Sequence, residues 1–107
     1  MINESNKKLK NMTKEQYDEF EKLGINVIET LKAAFLTKDP ASDLAQKAAD
    51  LHHTWLSYSW NTYSKEAHVV LVQMYVNDER FTDYYDKEQP GLTVFLRDAV
   101  LIYTGIK

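Results

Sequence analysis

The stretch TKEQYDEFEKLGINVIETLKAAFLTKDP, residues 13–40, decides the fold class. Thr13 followed three positions later by Gln16 has the form of a capping box, which starts a helix. Phe20, Leu23, Val27, Leu31 and Ala34 then recur at helical spacing, with Ile28 and Phe35 widening the stripe. Gly24 weakens this helix only slightly. It ends by Thr37, because Asp39–Pro40 reads as a stop followed by a new start, with Asp39 as N-cap and Pro40 at the first helical position.

The same periodicity continues outward. Leu44, Ala48, Leu51, Trp55 and Tyr58 fall on one face of a second helix, which breaks near Asn61–Thr62. Ser64 can cap a third, with Ala67, Leu71, Met74 and Tyr75 as its buried stripe. Asn77 and Asp78 can restart a short helix carrying Phe81, Tyr84 and Tyr85. The Gln89–Pro90–Gly91 turn leads into a last helix with Leu92, Phe95, Leu96, Ala99 and Tyr103 inward, ended by Gly105. The expected fold is all-α, about five helices of unequal length, for which crossed, globin-like packing is an acceptable arrangement. Residues 1–12, polar and rich in Asn and Lys, read as a flexible arm or linker ahead of a helical domain at 13–107.

Composition narrows the function. With 107 residues the chain is one domain, and three Gly and two Pro leave too few breakers for a sandwich or barrel. A net charge of −3 provides no basic field for nucleic acid or an anionic membrane. Cysteine is absent, which removes disulfides, thiolate metal sites and thiol nucleophiles and fits a reducing cytoplasm. No apolar run approaches the ~20 residues of a membrane span, and the N-terminus lacks the apolar segment of a secretory signal. The expected location is the cytoplasm.

Chemistry-bearing residues gather in HHTWLSYSWNTYSKEAH, residues 52–68, which holds all three histidines and both tryptophans. His52 and His53 are neighbours, about 100° apart around a helix, and His68 lies across a break, so they miss the i, i+4 spacing of helical metal ligands. No metal and no cofactor are expected. There is no Gly-x-Ser-x-Gly elbow or phosphate loop, and acidic pairs such as Asp43 with Asp50 suit solvated helix faces, so no enzyme is expected either. Trp55 and Tyr58 share a stripe with Leu51, and core packing is their ordinary reading. Trp60 falls off that stripe and is followed by Tyr63 in the connection, with His68 able to face the same corner. Such aromatics either pack a corner or line a pocket, and spacing leaves both open.

Longer segments carry a resemblance. MYVNDERFTDYYDKEQPGLTVFLRDAV, residues 74–100, resembles the signature of the TipA-S antibiotic-recognition domain family. LHHTW at 51–55 is similar to that family's histidine-plus-tryptophan segment, and ESNKKLKNMTKEQ at 4–16 resembles its entry into the first helix. The resemblance runs from about residue 4 to residue 103. It implies a compact, globin-like helical domain, the effector-binding half of MerR-type transcription activators. Such domains bind cyclic thiopeptides or other bulky hydrophobic antibiotics in a cleft and also occur alone as drug-sequestering products. DNA contact would then come only through a separate domain. The isolated domain would be a monomer, the full-length regulator a dimer.

In some members a cysteine before the third helix captures the antibiotic. Tyr63 stands at or beside that position here, so any ligand is held non-covalently. The resemblance places Trp55, Trp60, Tyr63, His68 and Phe81 nearest the cleft, with His52 or His68 and Tyr84 or Tyr85 as hydrogen-bonding groups. On this reading the arm at 1–12 folds over the ligand. The alternative is a protein-interaction or structural domain whose aromatics are all core, favoured by a structure with no cavity of ~300 Å³ or more near Trp60.

Overall fold

A computed structural model of the protein describes residues 12–106, so all of the expected N-terminal arm except Met12 lies outside the described residues. Helix α1, Lys14–Phe35, begins at the capping box: Gln16 N donates to Thr13 Oγ1 (3.1 Å) and Thr13 N to Gln16 Oε1 (3.0 Å). Its end is tightened by the Thr37 hydroxyl, which donates to Ala34 O at 2.6 Å, and by Lys38 in the left-handed region at φ 59°.

The second helix starts later than expected. Asp39 Oδ1 accepts from Ala41 N (2.9 Å) and so closes a tight turn around Pro40. Capping falls to Ser42, which accepts from Ala45 N, and α2 spans Asp43–Ser57. An antiparallel reversal from α1 needs this turn before α2 can run back along it. The buried face of α2 is also rotated from the expected one: Ala45, Ala48, Ala49, His52 and Leu56 point inward, whereas Leu44 is 41% exposed. Alanines let α1 and α5 approach α2 closely, and separation between helix axes follows side-chain size at the contact. Leu51, Trp55 and Tyr58 are therefore left half-buried on the flank.

Helix α3, Lys65–Asn77, is capped by Ser64 as expected, but its inward residues are His68, Val69, Val72 and Tyr75. Ala67 is exposed and Leu71 and Met74 are half-buried, so the buried stripe is rotated from the expected one while keeping Tyr75. Asp78 ends α3 and caps α4, Glu79–Asp86, where Tyr85 is buried and Tyr84 exposed. Helix α5, Leu92–Thr104, buries Leu92, Phe95, Leu96, Ala99 and Val100 and ends at Gly105, φ 74°.

Gly91, at φ 87°, has no side chain to cap α5. Asp86 does so from the preceding helix, accepting from Thr93 N (3.0 Å) and Thr93 Oγ1 (2.7 Å). Among the described residues there are five helices and no strand. Helix α5 is the centre, with α2 and α3 packed on it and α4 against α3 and α5. Helix α1 lies mainly along α2, and α1 and α4 scarcely touch.

Candidate functional site

The gap between α1 and α4 is a cavity of about 400 Å³. One wall is α1, contributing Gly24, Val27 and Ile28; the other is α4, contributing Arg80, Phe81, Tyr84 and Tyr85. His52 and Trp55 of α2 and Tyr75 of α3 join them. Its surface is mostly apolar and aromatic, as ligand pockets usually are.

Two stacks hold these rings. On the α1–α2 side Trp55 lies between Phe20 (centroids 5.1 Å apart, planes at 14°) and His52 (5.7 Å, 19°). Gly24 makes the first stack possible, because a Cβ there would stand 3.1 Å from Trp55 Nε1. On the α3–α4 side Tyr75 stacks on Phe81 at 5.0 Å, and Tyr84 meets Tyr85 edge-on at 5.0 Å. Both stacks present flat, rigid surface without ordering long side chains.

A buried polar chain runs behind the wall. His52 Nδ1 stands 2.8 Å from His68 Nε2, and His68 Nδ1 stands 2.6 Å from the Tyr63 hydroxyl. At the other end His52 Nε2 meets the Tyr75 hydroxyl at 3.5 Å. A neutral imidazole offers one donor and one acceptor, so neutral rings satisfy this row and two imidazolium ions cannot. Burial comes first, followed by repulsion from a second ring (His68 for His52, His53 for His68), and together they lower His52 to about 3 and His68 to about 4. Burial likewise pushes Tyr75 up to about 12 and Tyr85 well above its ordinary value. At neutral pH these four groups are uncharged. The cavity's charged side chain, Arg80, is paired with Asp78 at 2.9 Å. Among the described residues no group of three or more His, Asp or Glu could hold a metal ion.

Of the eight residues singled out from the sequence, His52, Trp55, Phe81, Tyr84 and Tyr85 line this one cavity. Trp60, Tyr63 and His68 do not. Tyr63 stacks on His53 (3.5 Å) and on Trp60 (6.1 Å), joining the α2–α3 connection to its neighbours, while His68 is fully buried as the second member of the histidine pair. Nearby, Tyr103 donates to Asp50 Oδ1 at 2.7 Å and stands 2.8 Å from His53 Nδ1, fastening α5 to α2. The cavity thus exceeds the ~300 Å³ of a small-molecule site but adjoins Trp55 rather than Trp60. Sequence reasoning missed Gly24, Val27, Ile28, Tyr75 and Arg80. Only Gly24 carried a signal, since a glycine inside a helix often marks close packing.

The sequence, residues 1–103, matches the family model of the TipAS antibiotic-recognition domain. The chain belongs to the TipAS family. The HTH-type transcriptional activators TipA of Streptomyces coelicolor and Streptomyces lividans are each 32% identical to it over 99 residues. The alignment covers 92% of this chain and 39% of either relative, so this TipAS domain spans well under half of those proteins. No solved structure matches the chain at a significant level.

Proposed function

We propose that this TipAS domain binds bulky, mainly hydrophobic and aromatic small molecules, antibiotics of the thiopeptide or multidrug type, without transforming them. The observation that carries this reading is the aromatic cavity of about 400 Å³ between two helices that hardly contact each other. A flat molecule can slide between the Trp55 and Tyr75–Phe81 stacks, and mainly apolar walls suit an apolar guest. Binding is non-covalent, because the chain has no cysteine. The likeness to two transcriptional activators supports a role as the effector domain of a MerR-type regulator, with DNA held by a separate domain, or as a stand-alone drug-sequestering protein. Ligand bridging α1 and α4 would favour one arrangement of these helices and pass that preference to whatever is attached. The domain acts in the cytoplasm, as a monomer by itself and a dimer within a full regulator; among its described residues no helix is long and apolar enough to cross a membrane.

The test is titration of a Trp60→Phe variant, which leaves Trp55 as the fluorescent reporter, with thiopeptides and planar hydrophobic antibiotics. Saturable change in Trp55 emission, a raised melting temperature, and loss of both in Ile28→Phe, which fills the cavity, are expected. A ligand at a hundred times its Kd adds about 2.7 kcal/mol to stability. A folded domain unmoved by the whole panel would favour the protein-interaction reading.

A further inference from the structure

We infer that the cavity selects molecules carrying a hydrogen-bond acceptor, a carbonyl or heteroaromatic nitrogen, at the edge of a flat apolar ring system, and that the Trp55 indole N–H reads it. This rests on the cavity being a binding site. Most polar groups around the cavity are already engaged or exposed. His52 is engaged by His68 and by the Tyr75 hydroxyl. Two of the five Arg80 N–H donors go to the carboxylate oxygens of Asp78, at 3.2 and 2.9 Å, and the side chain stands 85% exposed at the rim. Tyr84 is 49% exposed.

Trp55 adds a group that can only donate. Among the described residues its Nε1–H has no acceptor, yet no buried side-chain nitrogen or oxygen there lacks a partner. The half-buried indole therefore opens its N–H to free space, and the space it lines is the cavity. Gly24 explains how the group stays uncovered. A Cβ at that position would stand 3.1 Å from Nε1, nearer than to Cδ1 (3.6 Å) or Cε2 (3.9 Å), so any other residue would crowd the N–H itself. The ring is held by stacking on Phe20 and on His52, which gives the donor a set direction. An unpaired donor in an apolar wall penalises a guest that lacks an acceptor, and this makes the indole a specificity-determining group.

Two probes of similar flatness separate this inference from the reading beneath it. Nile red has a carbonyl at one end of its ring system, and its emission moves to the red when that oxygen accepts a hydrogen bond. Pyrene is a hydrocarbon without an acceptor. Each is titrated into the wild-type domain and into Trp55→benzothienylalanine, whose sulfur replaces the N–H at nearly constant shape. We expect both probes to bind wild type, and the sulfur variant to weaken Nile red by roughly three- to tenfold. Its bound emission should move to the blue while pyrene is unaffected. Gly24→Ala, which crowds the N–H from the other side, should act in the same direction. Nile red binding that is unchanged in the sulfur variant, or weakened equally with pyrene, overturns the donor role and leaves the cavity reading standing. Failure of wild type to bind either probe overturns both.

Discussion

Acid should unfold this domain through its buried histidines before its carboxylates titrate. His52 is 1% and His68 0% exposed, and both remain neutral in the folded protein down to about pH 4 or below. In the unfolded chain each titrates near 6.5. Folded values below unfolded ones mean that the unfolded chain takes up more protons, so the pair's contribution is complete above about pH 6.5 and declines as pH falls. Each pH unit under 6.5 removes up to about 1.36 kcal/mol per histidine. From pH 7.5 to pH 5 the loss is therefore about 2 kcal/mol per ring and about 4 kcal/mol for both, against a total stability of roughly 5–15 kcal/mol for a domain.

Urea denaturation at pH 7.5, 6.5, 5.5 and 5 measures this, with the slope against urea checked for constancy. His52→Gln keeps a neutral hydrogen-bonding group and removes one titration, so it should lose only about half as much stability over the same range. A wild-type difference under about 1 kcal/mol between pH 7.5 and pH 5 would refute the reasoning, because it would mean that both rings accept protons in the folded state.

Substitutions at three positions probe the frame that positions the cavity. Asp86→Ala removes the acceptor of Thr93 N and Oγ1 at the start of α5 and should destabilise by about 1–2 kcal/mol in a urea series, with Asp86→Asn in between. Burial alone would raise that carboxyl, but hydrogen bonds from Thr93 and Gly91 outweigh it and hold it below its ordinary value, so the cap is charged down into acid. Lys38→Gly relieves a left-handed residue at φ 59° and should raise the melting temperature, by an amount equivalent to roughly 1 kcal/mol. Leu96→Ala empties a fully buried site on α5 and should cost about 2–5 kcal/mol, read as a lower urea midpoint.

Most of the fold was legible because caps and stops are local. The Thr13–Gln16 box, Ser64, the Pro90–Gly91 turn and Gly105 each declare themselves within a few residues. The faces of α2 and α3 were not, since counting large apolar side chains favours Leu44 and Leu51 over Ala45 and Ala49. The helix is buried where its residues are small enough to admit two neighbours. Asp39 misled for a related reason: an aspartate before proline can cap a turn as readily as a helix, and its bond to Ala41 N settles which. The candidate site was legible in its chemistry more than in its place. Aromatic richness pointed to a pocket, but the partners of Trp55 and Phe81 come from residues far along the chain. Nothing between His52 and His68 announces that their rings meet.

The separation of α1 from α4 bears on how a chain of this kind can change. A filled interior between these helices would be the more stable arrangement, and larger residues at Gly24, Val27 or Ile28 would approach it one step at a time. Each step toward a firmer protein would also make it deaf to its guest. Hollowness is then something selection must keep reopening, and stabilised descendants should be recognisable by bulk at these three positions. Conversely, a guest does for α1 and α4 what a core side chain does elsewhere. It is a piece of tertiary structure supplied from outside, present only while the concentration lasts.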